Sequence, residues 1–298
     1  MKTIMKKIIE RLLIFFIGTP AIIALVLFLP WYHNLILNVA AIFFSAMGAV
    51  ELSSMLEKKQ IKISKIESFF LGALAPLSVT LHISFDLPSW IIPVITMSGA
   101  GLVLLSGIFS RVSDIQNGFN KIIGGFFVLV YPGVFMYWLI KMNVWENNYA
   151  ILLFLLLPVA SDSTAWLFGM LFGKNNRGII PVSPNKSIAG FIGGILGPVI
   201  VSAAAVFMVF PGNISVFPVY AFYDMPVSSM LFIAVILGFC TGIAAIAGDL
   251  AESAIKRSCD FKDSGNFMLG RGGVLDSIDS IVVAAPVFYL IYHLFFIA

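Results

Sequence analysis

Cysteine, histidine and charge are all scarce in this chain: 298 residues hold two Cys, three His and only 11% Asp, Glu, Lys and Arg. Each scarcity argues against a class of protein. Cys240 lies in an apolar run and Cys259 in a charged stretch, so no disulfide framework is expected and both thiols should be free. Cys and His are too sparse for a zinc site. A net charge of +3, with no basic helix and no aromatic-interleaved basic patch, is too small to suggest nucleic-acid binding. There is no convincing internal repeat, which weakens an inverted-repeat transporter.

Apolar residues are abundant instead. They make up 60% of the chain, with a mean hydropathy of +1.01, far more than a soluble core of this length requires. The bilayer is therefore the expected solvent. Apolar runs of roughly 18 to 25 residues suit a hydrocarbon layer about 30 Å thick. Nine can be placed, near 12–29, 34–56, 67–84, 89–109, 120–140, 149–172, 187–210, 228–248 and 278–297. The basic stretch Met1 to Arg11 precedes a long run without a small-x-small cleavage site, so an uncleaved first span is expected rather than a signal peptide.

Basic residues test that layout, because Lys and Arg collect in cytoplasmic loops. One side receives Lys2, Lys6, Lys7, Arg11, Lys58, Lys59, Lys62, Lys65, Arg111, Lys121, Lys174, Arg177, Lys186, Lys256, Arg257, Lys262 and Arg271, which is 17 of 18. Only Lys141 falls on the other. The expected fold is an all-α polytopic membrane protein of about nine transmembrane helices, N-terminus cytosolic and C-terminus outside. Residues 1–145 would supply about five N-terminal spans. Residues 146–298 would form a catalytic membrane region with cytosolic loops 173–187 and 249–277. Pro76, Pro93, Pro132, Pro158 and Pro198 suggest bends within spans. Gly190, Gly193, Gly194 and Gly197 would let helices approach closely.

The acidic residues are unevenly spread. Asp162, Asp249, Glu252, Asp260, Asp263, Asp276 and Asp279 are seven of fifteen, and they fall in two short regions, Ser161–Gly194 and Gly248–Ser280, both on the expected cytosolic side. Asp249, Glu252, Ser253 and Lys256 are spaced to share one helical face, and Asp276 and Asp279 are three apart where the last helix begins. Oxygen ligands entering from both ends of one segment suit a hard divalent cation such as Mg²⁺. Between them stand Lys256, Arg257, Lys262 and Arg271 with Gly265, Gly270, Gly272 and Gly273, a supply of cations and close-approaching backbone that a triphosphate needs. Topology alone explains basic residues here, but not the carboxylates.

Asp162 follows the apolar stretch Ala150–Ala160 and so marks a carboxylate inside or near the membrane, functional by default unless Ser161, Ser163 or Thr164 makes it a helix-packing contact. Further on, Ser183, Pro184, Lys186 and Ser187 open the next helix, where a Ser caps exposed N–H groups and the helix end attracts phosphate.

At these residues the sequence resembles the phosphatidate cytidylyltransferase family, the CDP-diacylglycerol synthases. The family's S-x-x-K-R-x4-K-D, Gly-rich and D-R-x-D signature is matched in order by Ser253, Lys256, Arg257, Lys262, Asp263, Gly265, Gly270, Gly272, Gly273, Asp276 and Asp279, preceded by Gly248 and Asp249. An upstream pattern is matched by Asp162, Ala165, Gly173, Lys174, Ser183, Pro184, Lys186, Ser187, Gly190, Gly193 and Gly194. The resemblance covers roughly residues 160 to 285. It implies that CTP and phosphatidate, or a related lipid phosphate, give CDP-diacylglycerol and pyrophosphate in phospholipid biosynthesis, with the site facing the cytosol of a bacterial membrane.

Asp249 and Asp276 would then be the principal ligands of Mg²⁺, alone or with a second cation, supported by Ser253 and Asp279. Lys256, Arg257 and Lys262 would bind phosphates beside Asp263. Asp162, Lys174, Ser183, Lys186, Ser187, Arg271, Gly272 and Gly273 would complete the substrate site, and the family suggests a homodimer. Arg271 stands where the family usually has His, Ser277 where it has Arg, Leu269 where it often has Pro and Ala189 where it has Glu, so positive charge is relocated within the loop. A lipid transporter, a homologue without activity and an enzyme for another lipid phosphate are the competing readings.

Overall fold

A computed structural model describes residues 19–108, 117–210, 214–217, 225–268 and 272–297. The fold is all-α apart from two paired two-residue strands, β1 (Val209–Phe210) and β2 (Ile214–Ser215). The helices are α1 (Thr19–Phe28), α2 (Trp31–Glu57), α3 (Lys65–Ser84), α4 (Ile91–Ile108), α5 (Gly118–Val128), α6 (Phe135–Lys141), α7 (Asn148–Phe172), α8 (Ile188–Ala205), α9 (Val227–Ser258) and α10 (Leu275–Phe296). Among the described residues seven helical stretches are long and apolar enough to cross a membrane: Trp31–Lys58, Lys65–Ser84, Gly118–Trp145, Asn148–Phe172, Ile188–Ala205, Val227–Ser258 and Leu275–Phe296. Ile91–Gly107 is apolar but shorter. Part of the run expected at 12–29 lies outside the described residues, and α1 falls within the rest. The chain is an integral membrane protein, and large exposed side chains such as Phe70, Ile200 and Phe232 suit contact with lipid. Both cysteines are free, Cys259 buried and Cys240 partly so.

The chain forms two compact units. The first is Met1–Val144 with Ile255–Ile278, the second Trp145–Ala254 with Asp279–Ala298. In the first unit α2 lies along α3, where Gly72 leaves no room for a side chain. A Cβ there would stand 2.5 Å from that of Ala49, and the Ser45 hydroxyl donates to the Gly72 carbonyl at 2.7 Å. Between α5 and α6 the chain widens into a π-helical turn, Leu129–Val134, around Pro132. A proline lacks the N–H that an α-helix needs, and the wider turn absorbs the missing bond. Asn34, Asn143 and Asn38 are linked by buried amide hydrogen bonds of 2.9 and 3.0 Å, which tie α2 to the segment after α6.

In the second unit α7 and α8 pack through small residues. Ser161 donates to the Gly194 carbonyl at 2.8 Å and Thr164 to the Gly193 carbonyl at 2.7 Å, while a Cβ on Gly197 would overlap the Thr164 hydroxyl at 2.3 Å. These glycines have the close-packing role expected of their spacing. Helix α9 uses Gly238 and Gly242 in the same way against Pro198.

One boundary differs from expectation. The segment expected as a loop at 249–277 is helical through Ser258 and again from Leu275, so the described irregular parts are 259–268 and 272–274. Ala251, Glu252, Ala254, Lys256 and Arg257 are good helix formers, and the two cations favour a helix C-terminus. The helix ends at Ser258, and Asp260 turns away with φ +61°.

Candidate active site

The second unit gathers one set of polar side chains. The loop expected at 173–187 connects α7 to α8, and Ser187 caps α8 by accepting the Gly190 N–H at 3.0 Å. That cap is the one its sequence context predicts, and it places Lys186 one residue before the cap. The Lys186 ammonium lies 2.5 Å from Asp249 Oδ2 on α9. Asp249 Oδ1 faces the Ser253 hydroxyl at 3.5 Å, one helical turn on. Gly248 packs against the main chain of Asp279, where a Cβ would stand 2.3 Å from the Asp279 carbonyl oxygen. Asp279 is nearly buried and accepts the Ser280 N–H at 2.6 Å. Asp249, Ser253, Asp279 and Lys186 thus belong to one unit. Glu252, expected on the same face as Asp249, is wholly buried.

The first unit gathers the other set around Asp276. Its Oδ2 accepts three hydrogen bonds, from the Ser264 N–H at 2.8 Å, the Ser264 hydroxyl at 2.9 Å and the Gly273 N–H at 2.7 Å. Its Oδ1 accepts from the Lys256 ammonium at 2.5 Å, with the side chains 8% and 13% exposed. A carboxylate so placed binds the loop into a fixed shape and holds one signature cation at its edge. Gly272 adopts φ +104°, the region where only glycine is unstrained, and a Cβ there would meet Asp276 Oδ2 at 2.6 Å. Met268 and Gly272 close the loop with a pair of backbone bonds of 2.8 and 3.2 Å.

A further carboxylate joins this loop from α2. Glu51, 8% exposed, accepts the Val274 N–H at 2.9 Å through Oε1. Its Oε2 accepts the Leu275 N–H at 2.8 Å and the Ser264 hydroxyl at 2.9 Å. Those amides open α10, where a carboxylate is favoured by the unsatisfied N–H groups and the helix dipole. Sequence reasoning missed both Glu51 and Ser264. A usable signal was present, since Glu51 is a carboxylate inside the apolar run 34–56.

Several of the other expected residues stand at the protein surface. Asp162 lies in mid α7 with its side chain exposed at the protein surface, so it is not buried inside the protein; its neighbours Ser161 and Thr164 make the helix-packing contacts. Lys174 is exposed in the turn after Gly173, and Ser183 accepts the Lys186 N–H through its carbonyl at 3.1 Å. Arg257 donates to the Phe261 carbonyl at 3.2 Å, and Lys262 and Asp263 are exposed. Gly273 has its open side filled by protein, because a Cβ there would meet the Ser264 hydroxyl at 2.0 Å and Glu51 Oε2 at 2.4 Å. Ser277, in the place of the family's Arg, donates to the Gly273 carbonyl at 3.2 Å. Arg271 lies outside the described residues.

Signature lysines held by signature aspartates, in a membrane protein, are the parts of a phosphate-handling transferase. Comparison with known proteins gives the family: the chain matches the cytidylyltransferase family over residues 9–295 and belongs to it. It is 30% identical to a phosphatidate cytidylyltransferase of Staphylococcus haemolyticus over 273 residues, 89% of this chain and 94% of that protein. It is 28% identical to one of Bacillus subtilis over 259 residues, covering 84% and 87% of the two chains. One from Chlamydia pneumoniae is 30% identical over 261 residues, 82% and 78%.

Proposed function

We propose that this protein transfers the cytidylyl group of CTP to phosphatidate, forming CDP-diacylglycerol and pyrophosphate at the cytosolic face of a bacterial membrane. The observation that carries this is the pairing of signature residues in each unit, Lys186 with Asp249 and Lys256 with Asp276, in a chain of the cytidylyltransferase family. An oxygen of the lipid phosphate attacks the α-phosphorus of CTP. The bond to the β-phosphate bridging oxygen breaks, and pyrophosphate leaves with its electrons. A phosphomonoester is already anionic near neutral pH, so no strong general base is required of the protein. Its own residues position and neutralise: Lys186 and Lys256 offer held ammonium groups to phosphate oxygens, and Arg257 and Lys262 add exposed cations.

The donor types in the second unit suit Mg²⁺, with the Lys186 ammonium holding Asp249 Oδ2 in its place in this structure. Asp249 and Asp279 carboxylates with the Ser253 hydroxyl are hard oxygen ligands, and Mg²⁺ needs only one or two carboxylates because water and phosphate oxygens complete its shell. Among the described residues no three His, Cys, Asp or Glu side chains make a metal site by themselves. Asp276 fits less well, since its oxygens already accept four hydrogen bonds. The bound ion would neutralise charge on the transferring phosphoryl group.

Acceptor choice is tested by competition. With labelled CTP and equal phosphatidate and polyprenyl phosphate in one detergent mixture, label should enter CDP-diacylglycerol predominantly. Label on the polyprenyl product alone would transfer the reading to another lipid phosphate, and neither product, with lipid moving across vesicles, would favour a transporter.

A further inference from the structure

Glu51 has no part in the signature, yet it contacts that loop at three places. Oε1 takes the Val274 N–H, and Oε2 takes the Leu275 N–H and the Ser264 hydroxyl, all between 2.8 and 2.9 Å. The same Ser264 hydroxyl lies 2.9 Å from Asp276 Oδ2 and accepts the Asp276 N–H at 3.2 Å. A hydroxyl has one proton to give, so Ser264 is shared between the Glu51 and Asp276 carboxylates and couples their positions.

Two glycines mark the same contact from the other side. A Cβ on Gly265 would stand 2.4 Å from Glu51 Oε1, and one on Gly273 would stand 2.4 Å from Oε2. Residues 264–265 and 273–275 are thus shaped around the Glu51 carboxylate, and the absence of side chains at 265 and 273 makes room for it. From α2, 223 and 224 residues away from the amides it binds, Glu51 fixes where α10 begins and therefore where Asp276 stands.

We propose that Glu51 is a positioning residue for the nucleotide. It holds Ser264, Val274 and Leu275 so that Asp276 presents the Lys256 ammonium to CTP, a role that rests on the function proposed above. Glu51→Gln is the informative change. The Val274 and Leu275 amides face one oxygen each and can only donate, and an amide side chain offers an acceptor at one end only, so its NH₂ confronts a donor in either orientation.

The test combines steady-state kinetics with hydrogen exchange on purified protein. Glu51→Gln should raise KM for CTP about tenfold, with KM for phosphatidate within about twofold of wild type. Exchange at the Val274 and Leu275 amides should quicken by a similar factor. A purely structural role would lower the folded fraction, and with it the maximal rate, leaving KM for CTP unchanged. That outcome overturns the proposal, as does unchanged exchange at 274 and 275. A wild type that turns over no CTP would instead sink the proposed function, while exchange would still decide whether Glu51 holds the loop.

Discussion

Asp276→Ala should leave the protein with only a small residue of its transfer activity and markedly less stable. The carboxylate accepts four hydrogen bonds, three from the loop and one from Lys256, with both charged side chains mostly buried. Removing one partner of a buried pair strands the other charge, at a cost of about 3–5 kcal/mol. The Ser264 and Gly273 amides lose their acceptor as well, and the Ser264 hydroxyl keeps only Glu51 as acceptor, so residues 264–268 and 272–275 should loosen. Activity should fall by on the order of 10³-fold, the scale on which charge stabilisation matters in phosphoryl transfer. A second variant separates stability from chemistry. Asp276→Ala combined with Lys256→Met removes both charges and should recover much of the lost stability by denaturation in detergent, without recovering activity. Recovery of activity in the double variant would show that the pair is structural only.

Lys186→Ala should lower kcat/KM for CTP by about 10²- to 10³-fold. Lys186 is the cation that the loop between α7 and α8 places 2.5 Å from Asp249 Oδ2. Its loss removes a phosphate-binding charge and leaves Asp249 without its ammonium partner. The Ser187 cap of α8 does not depend on the Lys186 side chain, so the fold should persist. Lys186→Arg restores charge but not the compact ammonium geometry, and should recover only part of the rate. A Lys186→Ala protein within threefold of wild type would make this lysine a topological signal and nothing more.

Much of this was legible in the sequence because hydrophobicity and local spacing carry it. Each of the nine expected apolar runs overlaps a helix, although only seven described stretches meet the length and hydropathy of a span. The Ser187 cap and the glycines facing α7 follow from residues a few positions apart. The pairing of Lys186 with Asp249 joins residues 63 apart, and only the resemblance put them in one site. Glu51 escaped altogether. Its partners lie 213 to 224 residues downstream, and no periodicity links a carboxylate in the second apolar run to a loop before the last helix. Asp162 shows how local spacing leaves a side chain's direction open. It stands on an exposed face of α7, while Ser161 and Thr164 donate to backbone carbonyls of α8. The start of the loop at 249 was misplaced because a functional motif does not announce whether its backbone is helical, whereas the helix propensity of Ala251 to Arg257 does.

The most direct test is incorporation of labelled CTP into lipid by the purified protein, with and without Mg²⁺, for wild type and Asp249→Ala. Wild type should move label from water into the organic phase only when phosphatidate and Mg²⁺ are both present, and Asp249→Ala should move almost none. Equal incorporation by the two proteins would contradict the role given to Asp249, and no incorporation by wild type would contradict cytidylyl transfer to phosphatidate itself.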